Sequence, residues 1–107
     1  MNKKQKIIKE SEIYKKYHIP NLQNFMRRQK NCVIIHTANG LPHEMKKLEI
    51  CYNIQKEGQH FITEAQRNKD KFIVDIVNIS TGDEIEIVDT SGDIERYEKE
   101  GVNIVKI

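Results

Sequence analysis

The sequence predicts a single mixed α/β (α+β) domain in which helices cover a central β-sheet. Its 107 residues suffice for one hydrophobic core but not for two. Residues 72–88 hold two β-rich runs on either side of the turn-forming segment Ser80-Thr81-Gly82-Asp83, which is typical of a β-hairpin. Helical patterns lie before and after that hairpin. From residue 43 the predicted element order is therefore α-β-β-β-α-β, with mixed strand directions.

Composition predicts a globular protein of the cytoplasm. The chain is 37% apolar and 32% charged, and its longest apolar runs are only a few residues. Such runs are too short to cross a membrane, and the polar N-terminus does not resemble a signal peptide. Neither cysteine belongs to a metal-ligand pattern, so we expect Cys32 and Cys51 to be buried thiols rather than a disulfide.

Charge is distributed unevenly along the chain. Residues 1–30 carry nine Lys or Arg against two Glu, a net of +7, whereas residues 31–107 carry nine against fourteen acids, a net of −5. We therefore expect a basic N-terminal helical arm over 1–30 and an acidic core over 31–107. The basic side chains expected to contact nucleic acid are Lys15, Lys16, Arg27, Arg28 and Lys30. An ordinary solvated basic helix explains the same charges equally well.

The first half of the chain predicts three helices and a strand. Residues 2–17 have partly helical spacing, and Pro20 prevents this helix from continuing. Residues 21–28 are predicted to form a second short helix. The apolar run 32–36 predicts a strand. Pro42 then begins a helix over about 43–57, which Gly58 ends.

The helix over 43–57 places an acid toward the core. The stripe predicted to face the core consists of Leu48, Cys51 and Ile54 or Gln55. Glu44 continues this stripe four residues before Leu48, with Lys47 beside it. A favourable interaction with the helix dipole would by itself account for an acid in the first turn.

The hairpin is predicted to bring acids from two strands together. Asp75 is the one charged residue between Phe72 and Ser80, and an ionised group in an apolar strand needs a partner. A two-residue or four-residue loop pairs Ile79 with Glu84, and Asp75 then has Glu86 as a diagonal neighbour on the same face. A three-residue loop would separate them. The alternative is that the two glutamates line an exposed face.

The remaining elements complete the sheet. Residues 60–65 read as a strand and 66–70 as a turn, while 93–100 form a charged helix that Gly101 ends. Residues 102–107 alternate between apolar and polar and close the chain as a strand. We expect this strand at a sheet edge, where it could pair across a homodimer with two-fold symmetry.

The order of elements and the placement of the acids resemble the PD-(D/E)XK nuclease superfamily. The likeness is nearest to small archaeal nucleases of the Holliday-junction-resolvase type and their viral or plasmid relatives, and it covers about residues 43–107. The segments that carry it are His43-Glu44, Lys56-Glu57-Gly58, Phe61-Ile62-Thr63-Glu64, Val74-Asp75-Ile76, Glu84-Ile85-Glu86 and residues 94–102.

The resemblance implies a restriction-endonuclease-like fold and a metal-dependent nuclease acting on DNA, including branched or junction DNA. Asp75 would be the central Mg²⁺ or Mn²⁺ ligand, Glu84 or Glu86 would complete the site, and Glu44 would orient a water or a second ion. Glu86 stands where the family has a lysine. A second alignment makes Glu86 the motif acid and puts Val88 in the lysine position. Lys47 or Lys71 could supply an ammonium group from elsewhere.

Two other functions fit the same residues. The missing lysine favours a nucleic-acid-binding or regulatory protein on the same fold, without chemistry. A purely structural or protein-interaction domain is the third hypothesis. Zinc chemistry has little support because the four histidines are scattered, and no nucleophile-elbow serine or glycine-rich phosphate loop is present.

Overall fold

The computed structural model describes residues 2–20, 30–89 and 94–107. In this part of the chain the fold is mixed α+β, with three α-helices and one five-stranded sheet. The elements are α1 Lys3–Tyr14, β1 Tyr17–His18, a 3₁₀ turn Thr37–Asn39, α2 Leu41–Lys56, β2 Phe61–Arg67, β3 Ile73–Asn78, β4 Glu84–Val88, α3 Ile94–Lys99 and β5 Asn103–Lys106. The predicted order from residue 43 is confirmed. The predicted helix 21–28, with Arg27 and Arg28, lies outside the described residues.

The sheet is mixed, and its order follows the sequence from β1 to β5. Strands β1 to β4 are successively antiparallel, while β5 lies parallel to β4. A parallel neighbour requires a crossover connection, which here contains α3. Strand β5 therefore lies at one edge of the described sheet, as the sequence predicts.

Apolar side chains fill both faces of the sheet. Neighbouring residues such as Phe61 and Ile62 enter different clusters because strand residues alternate between faces. The cluster under α2 consists of Cys51, Ile54, Phe61, Ile76 and Ile87. The opposite cluster consists of Ile62, Ala65, Val74, Val77 and Ile79, and Ile13 and Tyr14 of α1 pack against it. The N-terminal arm is thus packed on the sheet. None of the described helices has the length and apolar character needed to cross a bilayer.

The strand predicted over 32–36 is wrong. The backbone here hydrogen-bonds to side chains instead of to a neighbouring strand. The Ile34 N–H donates to Thr63 Oγ1 at 2.9 Å, the Ile34 carbonyl accepts from Lys47 Nζ at 3.0 Å, and the His36 N–H donates to Glu44 Oε1 at 2.6 Å. These bonds satisfy the backbone without a ladder, so the segment remains extended but irregular.

The hairpin has the predicted faces but a register that differs by two residues. The observed pairs are Val77 with Glu84 and Ile76 with Ile85, so the same register puts Asp75 opposite Glu86. The turn begins earlier than predicted because the Asn78 side-chain oxygen accepts from the N–H groups of Ser80 and Thr81 at 3.0 and 3.2 Å. Such a bond starts a turn at the asparagine itself.

Two predictions about single side chains also need correction. Leu48 was expected to face the core, but it is exposed, and the buried stripe of α2 is Glu44, Lys47, Cys51 and Ile54. Both cysteines are free thiols, as predicted, yet only Cys51 is buried, whereas Cys32 is exposed. Burial raises the pKa of the Cys51 thiol to about 12, which makes it a poor nucleophile.

Candidate functional site

Asp75 and Glu86 form a buried carboxyl pair where β3 and β4 meet. The Asp75 N–H donates to Glu86 Oε1 at 2.7 Å, and the Ile87 N–H donates to Asp75 Oδ2 at 2.8 Å. Each carboxyl therefore takes a backbone bond that a strand ladder would otherwise use. Both side chains are buried, so the pair is held rigidly between the strands.

The environment of this pair disfavours two negative charges. Burial raises the pKa of Glu86 to about 8, and the neighbouring Asp75 charge adds to the rise. Burial also raises the pKa of Asp75, although the bond from the Ile87 N–H opposes it. A nearby cation would relieve this cost for both groups.

Glu64 interrupts β2 directly opposite Asp75. Its φ is +50°, in the left-handed region, and the ladder pairs Thr63 with Ile76 and Ala65 with Val74 on either side of it. Ala65 and Val74 consequently join the cluster under α1, although strict alternation from Phe61 and Ile76 would place them under α2. Local irregularities of this kind re-aim side chains and are frequent at functional sites.

Lys47 neutralises two acids in the interior. Its ammonium donates to Glu44 Oε1 at 2.7 Å, to Glu64 Oε1 at 2.6 Å and to the Ile34 carbonyl at 3.0 Å. Burial would lower the pKa of Lys47, but the bonds to Glu44 and Glu64 raise it, so the group stays charged. Its three donors are all used and its side chain is fully buried, so Lys47 does not extend to a substrate.

Glu44 is held as a carboxylate by three donors. Burial would raise its pKa, but the hydrogen bonds from Lys47, the His36 N–H and His43 lower the pKa to about 2. The sequence predicts Glu44 on the inner face of the helix, and that is confirmed. The structure places it behind the carboxyl pair, with its charge already balanced by Lys47.

His43 links Glu44 to the carboxyl pair. Its Nδ1 lies 2.6 Å from Glu44 Oε2, and its Nε2 lies 3.2 Å from Asp75 Oδ2. The first contact is a hydrogen bond, whereas the second is an ion pair only when the ring is protonated. Sequence reasoning assigned no site role to His43 or Glu64. The available signals were the position of His43 beside Glu44 and the single acid within the otherwise uncharged run 61–66.

An open cavity of about 340 Å³ lies over the pair. Its polar lining includes His36, Asn39, His43, Glu64, Asp75 and Glu86. Glu64 and Glu86 lie beside Asp75, and the charges of Lys47 and His43 partly offset this negative charge. Added positive charge in this cavity would therefore be favourable.

The structure does not bring Glu84 to this site. Arg67 binds both Glu84 carboxylate oxygens, and the Tyr17 hydroxyl donates to Oε2 at 2.7 Å. Burial would raise the pKa of Glu84, but the Arg67 hydrogen bond lowers it. The same guanidinium contacts Asp70 and Glu100, at 3.1 and 2.9 Å. Glu84 therefore belongs to a separate ion cluster that ties β4 to β2 and to the segment after α3.

The predicted nucleic-acid contacts that the structure describes lie on the surface. Lys15 and Lys16 are exposed and line a second cavity of about 500 Å³, together with Arg67 and Lys69. Lys30 is exposed as well, with its Nζ 3.5 Å from Glu10 Oε2. These three lysines are thus available to a polyanion, although Lys30 would have to leave Glu10.

Asp75 and Glu86 have the chemistry to bind a divalent cation, but they do not provide a complete set of protein ligands for it. Among residues 2–20, 30–89 and 94–107, no three His, Cys, Asp or Glu side chains form a group that could hold a metal ion. Mg²⁺ commonly binds through one or two carboxylates, with water and substrate phosphate oxygens in its other positions. Asp75 and Glu86 provide that type of donor set at the floor of a polar cavity.

Comparison of the chain with protein-family models, with curated proteins and with solved structures found no match. The candidate site is therefore defined by the chemistry of this chain alone. Its components are the carboxyl pair, the Lys47 ion pairs behind it, and His43 between them.

Replacing Glu86 by Gln should change how stability depends on pH. The folded-state pKa of Glu86, about 8, lies above its ordinary 4.5, so between these values the folded chain keeps a proton that the unfolded chain has released. The free energy of unfolding should therefore fall as pH rises through this window, by up to about 1.4 kcal/mol per pH unit. Urea unfolding with a chelator present should show this slope in the wild type and a flatter one in Glu86→Gln. Equal slopes would contradict the assignment.

Replacing Arg67 by Met should destabilise the fold. It leaves the half-buried Glu84 carboxylate unpaired, which should lower the free energy of unfolding by about 3–5 kcal/mol. Adding Glu84→Gln to the same chain should recover part of that loss, because no uncompensated charge remains. Lys69→Met, at an exposed neighbour, is the control and should stay within about 0.5 kcal/mol of wild type. A loss below about 1 kcal/mol for Arg67→Met would mean that the cluster is not structurally important.

Proposed function

We propose that this chain is a metal-dependent deoxyribonuclease with a restriction-endonuclease-like core, in which Asp75 and Glu86 hold a divalent cation. The observation that carries the proposal is the buried Asp75–Glu86 pair, which lies at an open polar cavity and in which burial raises the pKa of both carboxyls. The α-β-β-β-α-β order, with a parallel last strand, supports the family resemblance.

The position of the acids favours one of the two motif alignments. Arg67 and Tyr17 both hydrogen-bond to the Glu84 carboxylate. Glu86 is therefore the better candidate for the acid that binds a cation together with Asp75. Val88 then takes the position of the family lysine, and it is buried and apolar. Lys47 is the candidate to replace the family lysine, but its ammonium group is paired with Glu44 and Glu64.

Each side chain has a definite task in this proposal. Mg²⁺ or Mn²⁺, when bound, lowers the pKa of a water and neutralises phosphate charge. Asp75 and Glu86 bind the cation, and His43 positions Asp75 through Nε2. Lys47 holds Glu44 and Glu64 in place through its hydrogen bonds, so that their geometry does not change when a polyanion approaches.

Binding of DNA would rely on the basic N-terminal part. Lys15 and Lys16 are exposed at the end of α1, and Lys30 follows in the same region of the chain. Contacts from such lysines to phosphates are independent of base sequence and weaken as salt rises. Branched or junction DNA is the substrate class that the resemblance suggests.

A nucleic-acid-binding protein without catalytic activity is the second candidate. The observation in its favour is that, in the described residues, the Lys47 ammonium is committed to Glu44 and Glu64, while Val88 occupies the lysine position. Such a protein would bind DNA in the same salt-dependent way but would not cleave it.

Cleavage of duplex and four-way-junction DNA in Mg²⁺ or Mn²⁺ tests the proposal. Asp75→Asn should lower the cleavage rate by more than about 100-fold, since losing a direct ligand should cost more than losing a supporting residue. Binding of DNA in chelator should be unchanged. Glu84→Gln is the matched control, because this acid lies on the same hairpin outside the site, and it should cleave at a rate close to wild type.

Thermal unfolding provides a readout that does not depend on activity. Added Mn²⁺ should raise the Tm of wild type and of Glu84→Gln, but not of Asp75→Asn, because a ligand that binds only the folded state stabilises it. Absence of both cleavage and a Tm shift in the wild type would favour the binding protein.

A further inference from the structure

Helix α2 carries a second apolar stripe on a face that the core does not use. Its core-facing stripe is Glu44, Lys47, Cys51 and Ile54. The second stripe is Leu41, Met45, Leu48 and Tyr52, which are 71%, 61%, 55% and 64% exposed. Single exposed apolar residues are ordinary, but four large ones aligned over three helical turns form a patch of the kind that binds a partner.

The spacing of this stripe is symmetrical. Its members are four, three and four residues apart, so the pattern is the same when read from either end of the helix. A second α2 that lies antiparallel across it would place the partner's Tyr52 against Leu41 and the partner's Leu48 against Met45. Every apolar side chain then meets an apolar side chain, as a two-fold symmetric interface requires.

With complete burial, the area of the stripe reaches the range of a weak dimer. Covering these four side chains on both copies would remove roughly 1,000 Å² from water, which is about the lower limit for a specific interface. We propose that the exposed stripe of α2 is a homodimer interface through which a second copy of this chain binds antiparallel.

This interface would also fix the relative position of two candidate sites. His43 and Glu44 lie in the first turns of the same helix, so an antiparallel α2 pair relates the two cavities by the dimer axis. The inference does not rest on the proposed nuclease activity, because the stripe and its symmetry are independent of Asp75 and Glu86.

Two double variants that remove the same apolar groups test the interface. Met45→Glu with Leu48→Glu places like charges against each other in the antiparallel pair, whereas Met45→Glu with Leu48→Lys places opposite charges together. Sedimentation equilibrium should show a dimer for the wild type and a monomer for the first variant. The second variant should associate at least about tenfold more tightly than the first, since juxtaposed like charges are strongly unfavourable.

Ile7→Glu is the control, because Ile7 is an exposed apolar residue on a different helix and its variant should remain a dimer. All substituted positions are exposed, so circular dichroism should show the wild-type helical signal in each variant. A wild type that stays monomeric at submillimolar concentration would overturn the proposal and leave the stripe to another partner. Equal association of the two double variants would also overturn it, since it would exclude the antiparallel pairing.

Discussion

The buried ammonium of Lys47 is the interaction on which the rest of the site depends. It joins Glu44 of α2, Glu64 of β2 and the carbonyl of Ile34, which come from three separate parts of the chain. A buried ion pair is tolerated only when its charges are fully satisfied, and here each of the three donors has an acceptor. By neutralising Glu44 and Glu64, Lys47 allows Asp75 and Glu86 to lie close by without four unbalanced negative charges.

Strand β4 carries two acids, Glu84 and Glu86, that are two residues apart but belong to different clusters. Glu84 is enclosed by Arg67 and Tyr17, so its charge is balanced and its role is to hold the sheet together. Glu86 is buried against Asp75, and burial together with the Asp75 charge raises its pKa, so its charged form is unfavourable without a cation. One strand thus carries a stabilising acid and an acid suited to binding a cation.

The sequence was sufficient to predict most of the secondary-structure elements but not all of their side-chain partners. Pro42 and Gly58 bound α2, and Asp75 stood out as a lone acid in an apolar strand, because these signals are local. The choice between Glu84 and Glu86 depends on Arg67, seventeen residues before Glu84, and no local pattern encodes that contact. The hairpin register likewise depends on the Asn78 side chain.

The error in the α2 stripe has a similar cause. Apolar side chains are normally the buried ones, so Leu48 was expected inside and Lys47 beside it. Lys47 is buried instead because acids from two elements, Glu44 and Glu64, offer it full compensation, and Leu48 is left outside. The strand predicted at 32–36 fails for the same reason, since side chains of Thr63, Lys47 and Glu44 take its backbone bonds.

A crystal soaked in Mn²⁺ tests the central claim most directly, because anomalous scattering locates the ion without assuming any activity. The account predicts a peak within about 2.2 Å of carboxylate oxygens of both Asp75 and Glu86, inside the polar cavity and away from Glu84. A peak that lies elsewhere, or none at saturating Mn²⁺, would contradict it.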